Sequence, residues 1–395
     1  MRETSQDPES DFVVKRFRMG TLEVEGPLKT VDSRGLTRRL LEKEKGDLKN
    51  IVIETSKTIK DTSVSRLLRE TDDSKIKTRF GFRNWFSNYP NVLTFTFDFS
   101  PYEVYGKLDN ISGFFDYYHS YSDTAVFVPN VKVEKHVYTH IDGKAKHIRT
   151  DKRMNFEDYG KYVDEAFEIL DFRNNKPIFV PIPLELGMDG IKHLANRYIK
   201  KGYSCFWADF HSSAATDRAK LSLIRHFKRI FRDNERLDEM VMHTTNVRRE
   251  ITMHSRDDRT PSSDVLTSVI GSDLVGANRE PPAPFAGEGP ALTPERKLEL
   301  WEHKARVLEP DTYYYVKVAE SDYGSQDVAK LMNKGYNVLF NSQLLNREFE
   351  NQKKSFFDEA TVKPYISGKR MVREYRDGVL AGVLFGKART ITDFF

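Results

Sequence analysis

The stretch PIFVPIPLELGMDGIKHLANRYIKKGYSCFWADF, residues 177–210, contains a complete strand–helix–strand unit. Its two ends, PIFVPIP and YSCFWADF, are short and almost continuously apolar. The amphipathic segment between them stops at Gly202, and glycine commonly ends a helix. Apolar strands joined by a helix are typical of a parallel sheet with both faces covered. The stretch therefore predicts an α/β protein.

The same alternation of strand and helix candidates continues on both sides of this unit. Helical stretches separate most of a series of strand candidates, at residues 92–99, 124–131, 177–183, 203–210, 239–247, 273–278, 313–318 and 336–340. About eight strand–helix units over about 250 residues are typical of a closed (β/α)8 barrel of the TIM type. A doubly wound open sheet is the alternative, although no glycine-rich dinucleotide fingerprint or P-loop follows any strand.

We divide the chain into three parts around this predicted barrel. Residues 1–80 form an N-terminal β element with some helix, residues 81–345 form the barrel, and residues 346–395 form a C-terminal helix with a basic extension. A proline-rich segment at residues 280–296 interrupts the alternation of strand and helix candidates. We expect it to be a long, poorly ordered loop.

Charge and composition narrow the functional classes. The 395 residues carry a net charge of +4, which permits an anionic partner without requiring one. Cys205 is the only cysteine, so one chain cannot form a disulfide or a cysteine-built zinc site, and we expect a reducing, cytoplasmic location. No apolar run approaches the ~20 residues of a membrane span, so we expect no membrane partner. The sequence also gives no compact metal-binding cluster, and we expect no metal and no cofactor.

Several polar residues stand where the predicted strands begin or end. Asp98 ends one strand, Asp209 ends another and is soon followed by His211, and Asp273 opens a third. In a parallel barrel, the strand ends line the mouth at which substrates bind. Converging carboxylates suit acid–base catalysis or a covalent glycosyl intermediate, so Asp98, Asp209 and Asp273 are the catalytic candidates. The alternative is that each aspartate caps the following helix.

Other residues near the same strand ends are candidates for substrate binding. If the partner is a nucleic acid, aromatic rings at the mouth would stack on an extruded base. The candidates are Phe97, Phe99, Asn130, Trp207, His211 and Asn278. The alternative is that the aromatic residues belong to the core.

Two basic segments predict contacts with nucleic-acid phosphates. The helical stretch RAKLSLIRHFKRIFR, residues 218–232, has six basic residues and no acidic one beside its apolar stripe, and the tail after residue 368 is also basic. We expect the basic side chains, Lys228 among them, to lie mainly on the outside. The phosphate-binding candidates are Arg218, Arg225, Lys228, Arg229, Lys369, Arg370 and Arg373. A solvated outer helix is the alternative.

Read in order, these segments resemble the tRNA-guanine transglycosylase superfamily, whose modified (β/α)8 barrels exchange a guanine base in nucleic acid for a 7-deazaguanine. RMGTLEVEGPLKTVD, residues 18–32, is similar to the family's N-terminal hairpin. VLTFTFDFSP, residues 92–101, is similar to a strand that ends in Asp-Ser-Gly-Gly, of which Asp98 matches. SSDVLTSVIGSDLVGAN, residues 262–278, is similar to the helix and strand that carry the nucleophile. The C-terminal helix of the family resembles residues 336–356, where Asn341 matches.

The same segments also depart from the family. In its Gly-x-Asp-x-x-Asp pattern the second aspartate attacks the ribose, but GSDLVG keeps only the first, Asp273, and has Gly276 at the nucleophile position. The family's zinc cysteines are missing from YYYVKVAES, residues 313–321, and VPIPLE, residues 180–185, stands at its base-contact loop. Either the nucleophile has moved, with Asp209 the nearest candidate, or the exchange chemistry has been lost.

The resemblance therefore implies two classes of function. The first is a transglycosylase that exchanges a purine-like base in tRNA or DNA, with Asp98 as the acid–base group at the base. The second is a catalytically silent barrel that binds nucleic acid, or that forms a dimer with itself or with a catalytic paralogue. An unrelated barrel enzyme for a small molecule stays open as a third class, because no motif is complete.

Overall fold

The computed structural model describes residues 4–44, 51–60, 73–98, 100–105, 108, 112–134, 136–141, 144–149, 152–173, 175–251, 257–280, 293, 305–321, 323–375 and 379–385, apart from positions 82, 84, 86 and 87. Phe99 and almost all of the predicted loop at residues 280–296 lie outside these ranges.

The strands are β1 Thr4–Gln6, β2 Val13–Met19, β3 Leu22–Gly26, β4 Leu28–Lys29, β5 Val31–Asp32, β6 Ile53–Lys60, β7 Asn91–Asp98, β8 Val126–Phe127, β9 Asn130–Val131, β10 His136–Ile141, β11 Lys144–Arg149, β12 Ile178–Pro181, β13 Cys205–Asp209, β14 Val241–Thr245, β15 Arg259–Pro261, β16 Leu274–Val275, β17 Arg306–Glu309 and β18 Tyr314–Lys317.

The α-helices are α1 Arg38–Lys43, α2 Asp73–Phe80, α3 Pro101–Tyr105, α4 Ser112–Tyr121, α5 Phe156–Leu170, α6 Gly187–Lys201, α7 Arg218–Asp233, α8 Ser325–Leu331, α9 Lys334–Glu359, α10 Lys363–Gly368, α11 Arg370–Glu374 and α12 Val379–Phe385. Short 3-10 helices lie at Asp171–Arg173, Leu237–Glu239, Asp264–Thr267 and Val318–Glu320. None of the helices in the described ranges is long and apolar enough to cross a membrane.

Two parallel sheets with helices between their strands confirm the α/β class. The larger sheet has the order β4–β16–β14–β13–β12–β8, and the smaller has the order β5–β6–β7–β9. Every pairing within these two sheets is parallel. The segments 28–32 and 126–131 each give one short strand to either sheet, so the same stretches of chain border both.

Two of the predicted parallel strands are wrong. Residues 336–340 belong to helix α9, whose first turn is capped by Asn333, because the Asn333 side chain accepts a hydrogen bond from the Tyr336 backbone N–H. Residues 314–317 do form a strand, but it pairs antiparallel with β15 and β17 in a separate sheet. Short apolar runs fit a helix and a strand equally well, so periodicity alone could not separate them.

The N-terminal segment contributes strands to both parallel sheets. Residues 28–32 and 53–60 pair in the parallel sheets, so the predicted division at residue 80 separates β6 from its partner β7. The predicted division at residue 345 likewise falls inside α9.

An apolar cluster lies at the amino ends of the parallel strands. Its members, all buried, are Phe17, Met19, Val24, Val52, Val92, Ala125, Phe127, Phe179, Cys205, Trp207, Val241 and Leu274. The antiparallel strands β2 and β3 supply the first three of these residues and cover that end. At the opposite, carboxyl ends, β7 finishes with Asp98 and β13 with Asp209.

Apolar and threonine side chains alternate along β7, so the two faces of this strand have different surroundings. Leu93, Phe95 and Phe97 belong to the large core shared with the helices, whereas Thr94 and Thr96 bond to carboxylates of other strands. Successive side chains of a strand point to opposite faces, so a run of mixed apolar and threonine residues builds a core on one face and a polar site on the other.

Candidate functional site

Asp98 and Asp209 lie at the same end of their strands, as the sequence predicted. Asp98 is the last residue of β7 and Asp209 is the last residue of β13. The Thr96 hydroxyl of β7 donates a hydrogen bond to Oδ2 of Asp209 at 2.9 Å. This bond brings the carboxyl ends of strands from the two parallel sheets together.

His211 lies between two carboxylates. Its Nδ1 is 3.3 Å from Oδ2 of Asp209, and its Nε2 is 3.2 Å from Oε1 of Glu185. The backbone N–H of His211 also donates to Oδ1 of Asp209 at 2.8 Å. Burial lowers the pKa of His211, but the negative charges of Asp209 and Glu185 outweigh this effect and raise the pKa above its ordinary value. The imidazole is therefore held in its protonated form over a wider pH range.

Basic groups border the same cluster. The Nζ of Lys132 lies 3.0 Å from Oδ1 of Asp98, and the Nζ of Lys220 donates a hydrogen bond to the Phe210 carbonyl. Burial lowers the pKa of Lys220, and nearby carboxylates oppose that shift. We call Asp98, Lys132, Glu185, Asp209 and His211 the carboxyl-end cluster. It combines carboxylates, a type of group that serves as base or nucleophile in enzymes, with an imidazole, a type of group that serves as an acid when protonated.

A second polar centre lies deeper and was missed by sequence reasoning. Glu54 of β6 is fully buried, and its Oε1 accepts hydrogen bonds from the hydroxyls of Thr94 at 2.7 Å and Thr245 at 2.5 Å. Its Oε2 accepts from the Thr30 hydroxyl at 2.7 Å and from the Ala277 backbone N–H at 2.8 Å. One carboxylate thus joins residues in or beside strands from both parallel sheets.

His243 explains the charge state of Glu54. Its Nε2 lies 3.4 Å from Oε1 of Glu54, and both side chains are fully buried. Burial would raise the pKa of Glu54, but His243 and the hydroxyl donors outweigh it and hold that pKa below its ordinary value. A glutamate in the run NIVIE was the available sequence signal, because an acidic residue in a buried strand requires partners.

Gly276 has no room for a side chain. A Cβ added at this position would lie 2.7 Å from Oε2 of Glu54, 2.7 Å from the Thr244 carbonyl oxygen and 2.7 Å from Cβ of Thr245. The Gly276 carbonyl also accepts a hydrogen bond from the buried Nζ of Lys29. The glycine is therefore needed where the carboxylate of Glu54 approaches the chain.

Asp273 does not join the carboxyl-end cluster. It precedes β16, and its Oδ2 accepts a hydrogen bond from the Met242 backbone N–H at 2.7 Å. Leu274, the next residue, pairs in register with His243 of β14. His243 comes two residues before Thr245, and Thr245 pairs in register with Asp209. The Asp273 side chain thus lies nearer the amino ends of the strands.

The predicted substrate-binding residues do not lie together, although the Phe97 carbonyl accepts a hydrogen bond from the backbone N–H of Lys132 in the carboxyl-end cluster at 3.1 Å. Phe97 packs on Phe114 in the large core, and Trp207 is buried in the amino-end cluster. Asn130 accepts a hydrogen bond from the Tyr159 hydroxyl at 2.7 Å. Asn278 instead donates to Asp264, and Phe99 lies outside the described residues.

Asp264 is a buried acid that the sequence did not single out. The Tyr315 hydroxyl and Nδ2 of Asn278 each donate to its Oδ2 at 3.0 Å. Burial raises the pKa of Asp264 to about 6, against the opposing charges of Lys29 and Arg249. Its carboxyl group therefore titrates at higher pH than an exposed aspartate.

Three of the predicted phosphate-binding residues are committed to internal contacts. Contrary to the prediction, Lys228 is buried, and its Nζ donates to the carbonyls of Ile270 and Gly271 at 3.0 Å each. Nε of Arg225 bonds to Asp11 at 2.8 Å, and the buried Lys369 bonds to the Pro310 carbonyl at 2.9 Å.

The remaining predicted basic residues keep their exposure. Those exposed are Arg218, Arg229, Arg370 and Arg373. The apolar stripe of α7 is buried as predicted, through Leu221, Ile224, Phe227 and Phe231. Lys228 is buried because its long side chain reaches the carbonyl groups just before β16. The sequence does not reveal this contact, because it depends on tertiary packing.

No family model matches this chain, and a search of curated proteins also found no match.

Proposed function

We propose that this chain is a transglycosylase-like protein that exchanges a guanine base for a 7-deazaguanine in tRNA or DNA, with its reaction at the carboxyl-end cluster. The observation that carries the proposal is the contact between Asp209 and β7, the strand that ends in Asp98. The Thr96 hydroxyl of β7 donates to Asp209, and the Asp209 carboxylate also lies 3.3 Å from His211. The landmark resemblance to the transglycosylase superfamily supplies the reaction class.

The proposal includes a closed (β/α)8 barrel. Two observations support closure of the two parallel sheets into one. The segments 28–32 and 126–131 pair with β16 and β12 of the larger sheet and with β6 and β7 of the smaller sheet. Strands or adjoining residues from both sheets also contribute to the amino-end apolar cluster, as the interior of a small barrel requires. Substrates of such barrels bind at the carboxyl ends of the strands.

The exchange would proceed in two balanced steps. In the first, a carboxylate oxygen of Asp209 attacks C1′ of the nucleotide, the C1′–N9 bond breaks, and the leaving guanine takes a proton from the His211 imidazolium. In the second, Asp98 takes the proton from N9 of the incoming base, N9 attacks C1′, and the ester bond to Asp209 breaks. Proton exchange with solvent then restores Asp98 and His211.

A catalytically silent barrel that binds nucleic acid or a catalytic paralogue is the second candidate. It is favoured by the space beside Gly276, which the Glu54 carboxylate fills, so that no nucleophile fits at this position. For either function we propose a cytoplasmic location, in keeping with the free and buried Cys205.

The test is incorporation of radiolabelled guanine into tRNA and into duplex DNA. We expect incorporation with one of them, and at least a hundredfold loss in Asp98→Asn and in Asp209→Asn. Asp171→Asn, at the end of α5, is the matched control and should retain full activity. If the wild-type protein incorporates guanine into neither, the enzymatic proposal is refuted. Binding of either nucleic acid without incorporation would instead support the silent barrel.

A further inference from the structure

A cavity of about 430 Å³ lies beside the loop that carries His211. It is lined by Ser212, Ser213, Ala214, Thr216, Asp217, Arg218, Arg248, Ile251, Tyr375, Leu380 and Val383. Its volume falls within the roughly 300–1,000 Å³ of typical small-molecule sites. Because Ser212 follows His211 directly, the cavity adjoins the carboxyl-end cluster.

One wall of the cavity is polar and basic. The hydroxyls of Ser212, Ser213 and Thr216 and the guanidinium of Arg218 form no hydrogen bond or ion pair within the described part of the chain. By contrast, Oδ1 of Asp217 is engaged, because it accepts from the backbone N–H groups of Ala219 and Lys220 at the start of α7. The groups left on this wall to meet a phosphate are the three hydroxyls and the Arg218 guanidinium.

The rest of the wall is fixed and partly apolar. Nε of Arg248 donates to the Glu250 carbonyl at 2.7 Å, which holds this side chain in place at the rim. Tyr375, Leu380 and Val383 give an aromatic and aliphatic surface. The terminal nitrogen of Arg225 donates to the Val383 carbonyl at 3.1 Å, so this partly buried contact holds α12 beside the cavity.

We propose that this cavity binds a nucleoside phosphate, with the phosphate on Arg218 and the hydroxyls and with the base or ribose on the apolar wall. A guanidinium and several hydroxyls together match the charge and the many acceptor oxygens of a phosphate. The choice of a nucleotide rests on the proposed function, which places a nucleic-acid strand at the neighbouring carboxyl-end cluster. The same chemistry is present in a free nucleotide and in a nucleotide within a strand.

Binding is measured by calorimetry with guanosine monophosphate, guanosine and inorganic phosphate, and by anisotropy with a labelled single-stranded oligonucleotide. We expect the monophosphate to bind at least about tenfold more tightly than guanosine or phosphate alone, because only it fills both walls. Binding of the oligonucleotide as well identifies a nucleotide within a strand as the occupant. Binding of the monophosphate without the oligonucleotide identifies a free nucleotide.

The variants locate the binding. Arg218→Ala should weaken binding of the monophosphate at least about tenfold, and Thr216→Val should weaken it several-fold, because each removes a donor. Arg232→Ala is the matched control, since Arg232 is exposed on the same helix about four turns away, and it should change affinity less than twofold. Absence of binding by all four ligands, or an equal effect of Arg218→Ala and Arg232→Ala, overturns the proposal. These measurements need no base exchange, so the cavity can hold a nucleotide even if guanine incorporation fails.

Discussion

Oε2 of Glu54 lies 2.7 Å from the point that a Cβ of residue 276 would occupy. The buried carboxylate of a β6 residue thus occupies the space that a side chain would need at Gly276, the residue after β16. The hydrogen bonds from Thr30 and from the Ala277 backbone N–H hold Oε2 in this place, so the carboxylate cannot withdraw without breaking both bonds. Position 276 is consequently restricted to glycine by its neighbours.

Gly276→Ala should therefore destabilise the protein. The added methyl group meets the Thr244 carbonyl and Glu54, neither of which moves freely, and overpacking of this kind costs about 1–3 kcal/mol. Denaturant unfolding followed by circular dichroism measures the change. Gly113→Ala is the control, because Gly113 lies in helix α4 with nothing within 4 Å of its Cβ position. Equal stabilities of the two variants would contradict this account of Gly276.

Asp264 should make stability depend on pH in a defined direction. Its pKa rises from 3.8 to about 6 on folding, so the folded state holds the proton more tightly than the unfolded state. The free energy of unfolding should then fall as pH rises from about 4 to about 6, by about 3 kcal/mol if Asp264 acted alone.

The variant Asp264→Asn tests this linkage. It should remove the pH-dependent part, so that the stability difference between wild type and variant shifts in favour of the variant between pH 4 and pH 7. Loss of the contacts with Tyr315 and Asn278 adds a constant that does not vary with pH. Denaturant unfolding at several pH values gives the difference. A constant difference between the two proteins would show that Asp264 does not titrate in this range.

Asp209→Asn should lower the pKa of His211. The two carboxylates beside His211 raise its pKa against burial, and the variant leaves only Glu185. For the wild type, the stability from this charge pair is present at low pH and is lost as pH rises through the raised pKa of His211. Titration of the histidine signals by NMR gives the pKa directly. In Asp171→Asn the pKa of His211 should stay unchanged, and an unchanged value in Asp209→Asn would rule out the pairing.

Lys228→Ala should lower stability without weakening nucleic-acid binding. The variant leaves the carbonyls of Ile270 and Gly271 without this donor in a buried position, at a cost of about 1–3 kcal/mol or more. Arg229→Ala should change stability by no more than about 0.5 kcal/mol, because its side chain is exposed. Unfolding curves and an anisotropy titration with tRNA, at a temperature where both variants are folded, separate the two roles. Weaker tRNA binding by folded Lys228→Ala would contradict the internal role.

The sequence by itself determined features that depend on local periodicity. Alternating apolar strands and amphipathic helices gave the α/β class, the buried stripe of α7 and the strand ends at Asp98 and Asp209. These features are readable because a strand repeats every two residues and a helix about every 3.6 residues, whatever their distant neighbours are.

Only the tertiary structure decided which partners the polar residues meet. Glu54 collects donors from residues far apart in sequence, Lys228 turns inward to two carbonyls, and Phe97 faces the helices although its neighbour Thr96 faces Asp209. A periodic pattern tells which residues share a face, but the layer that covers that face is set by long-range packing. For the same reason the sequence of residues 336–340 fits a strand and a helix equally well. In the structure these residues lie in the first turns of a helix whose N-cap is Asn333.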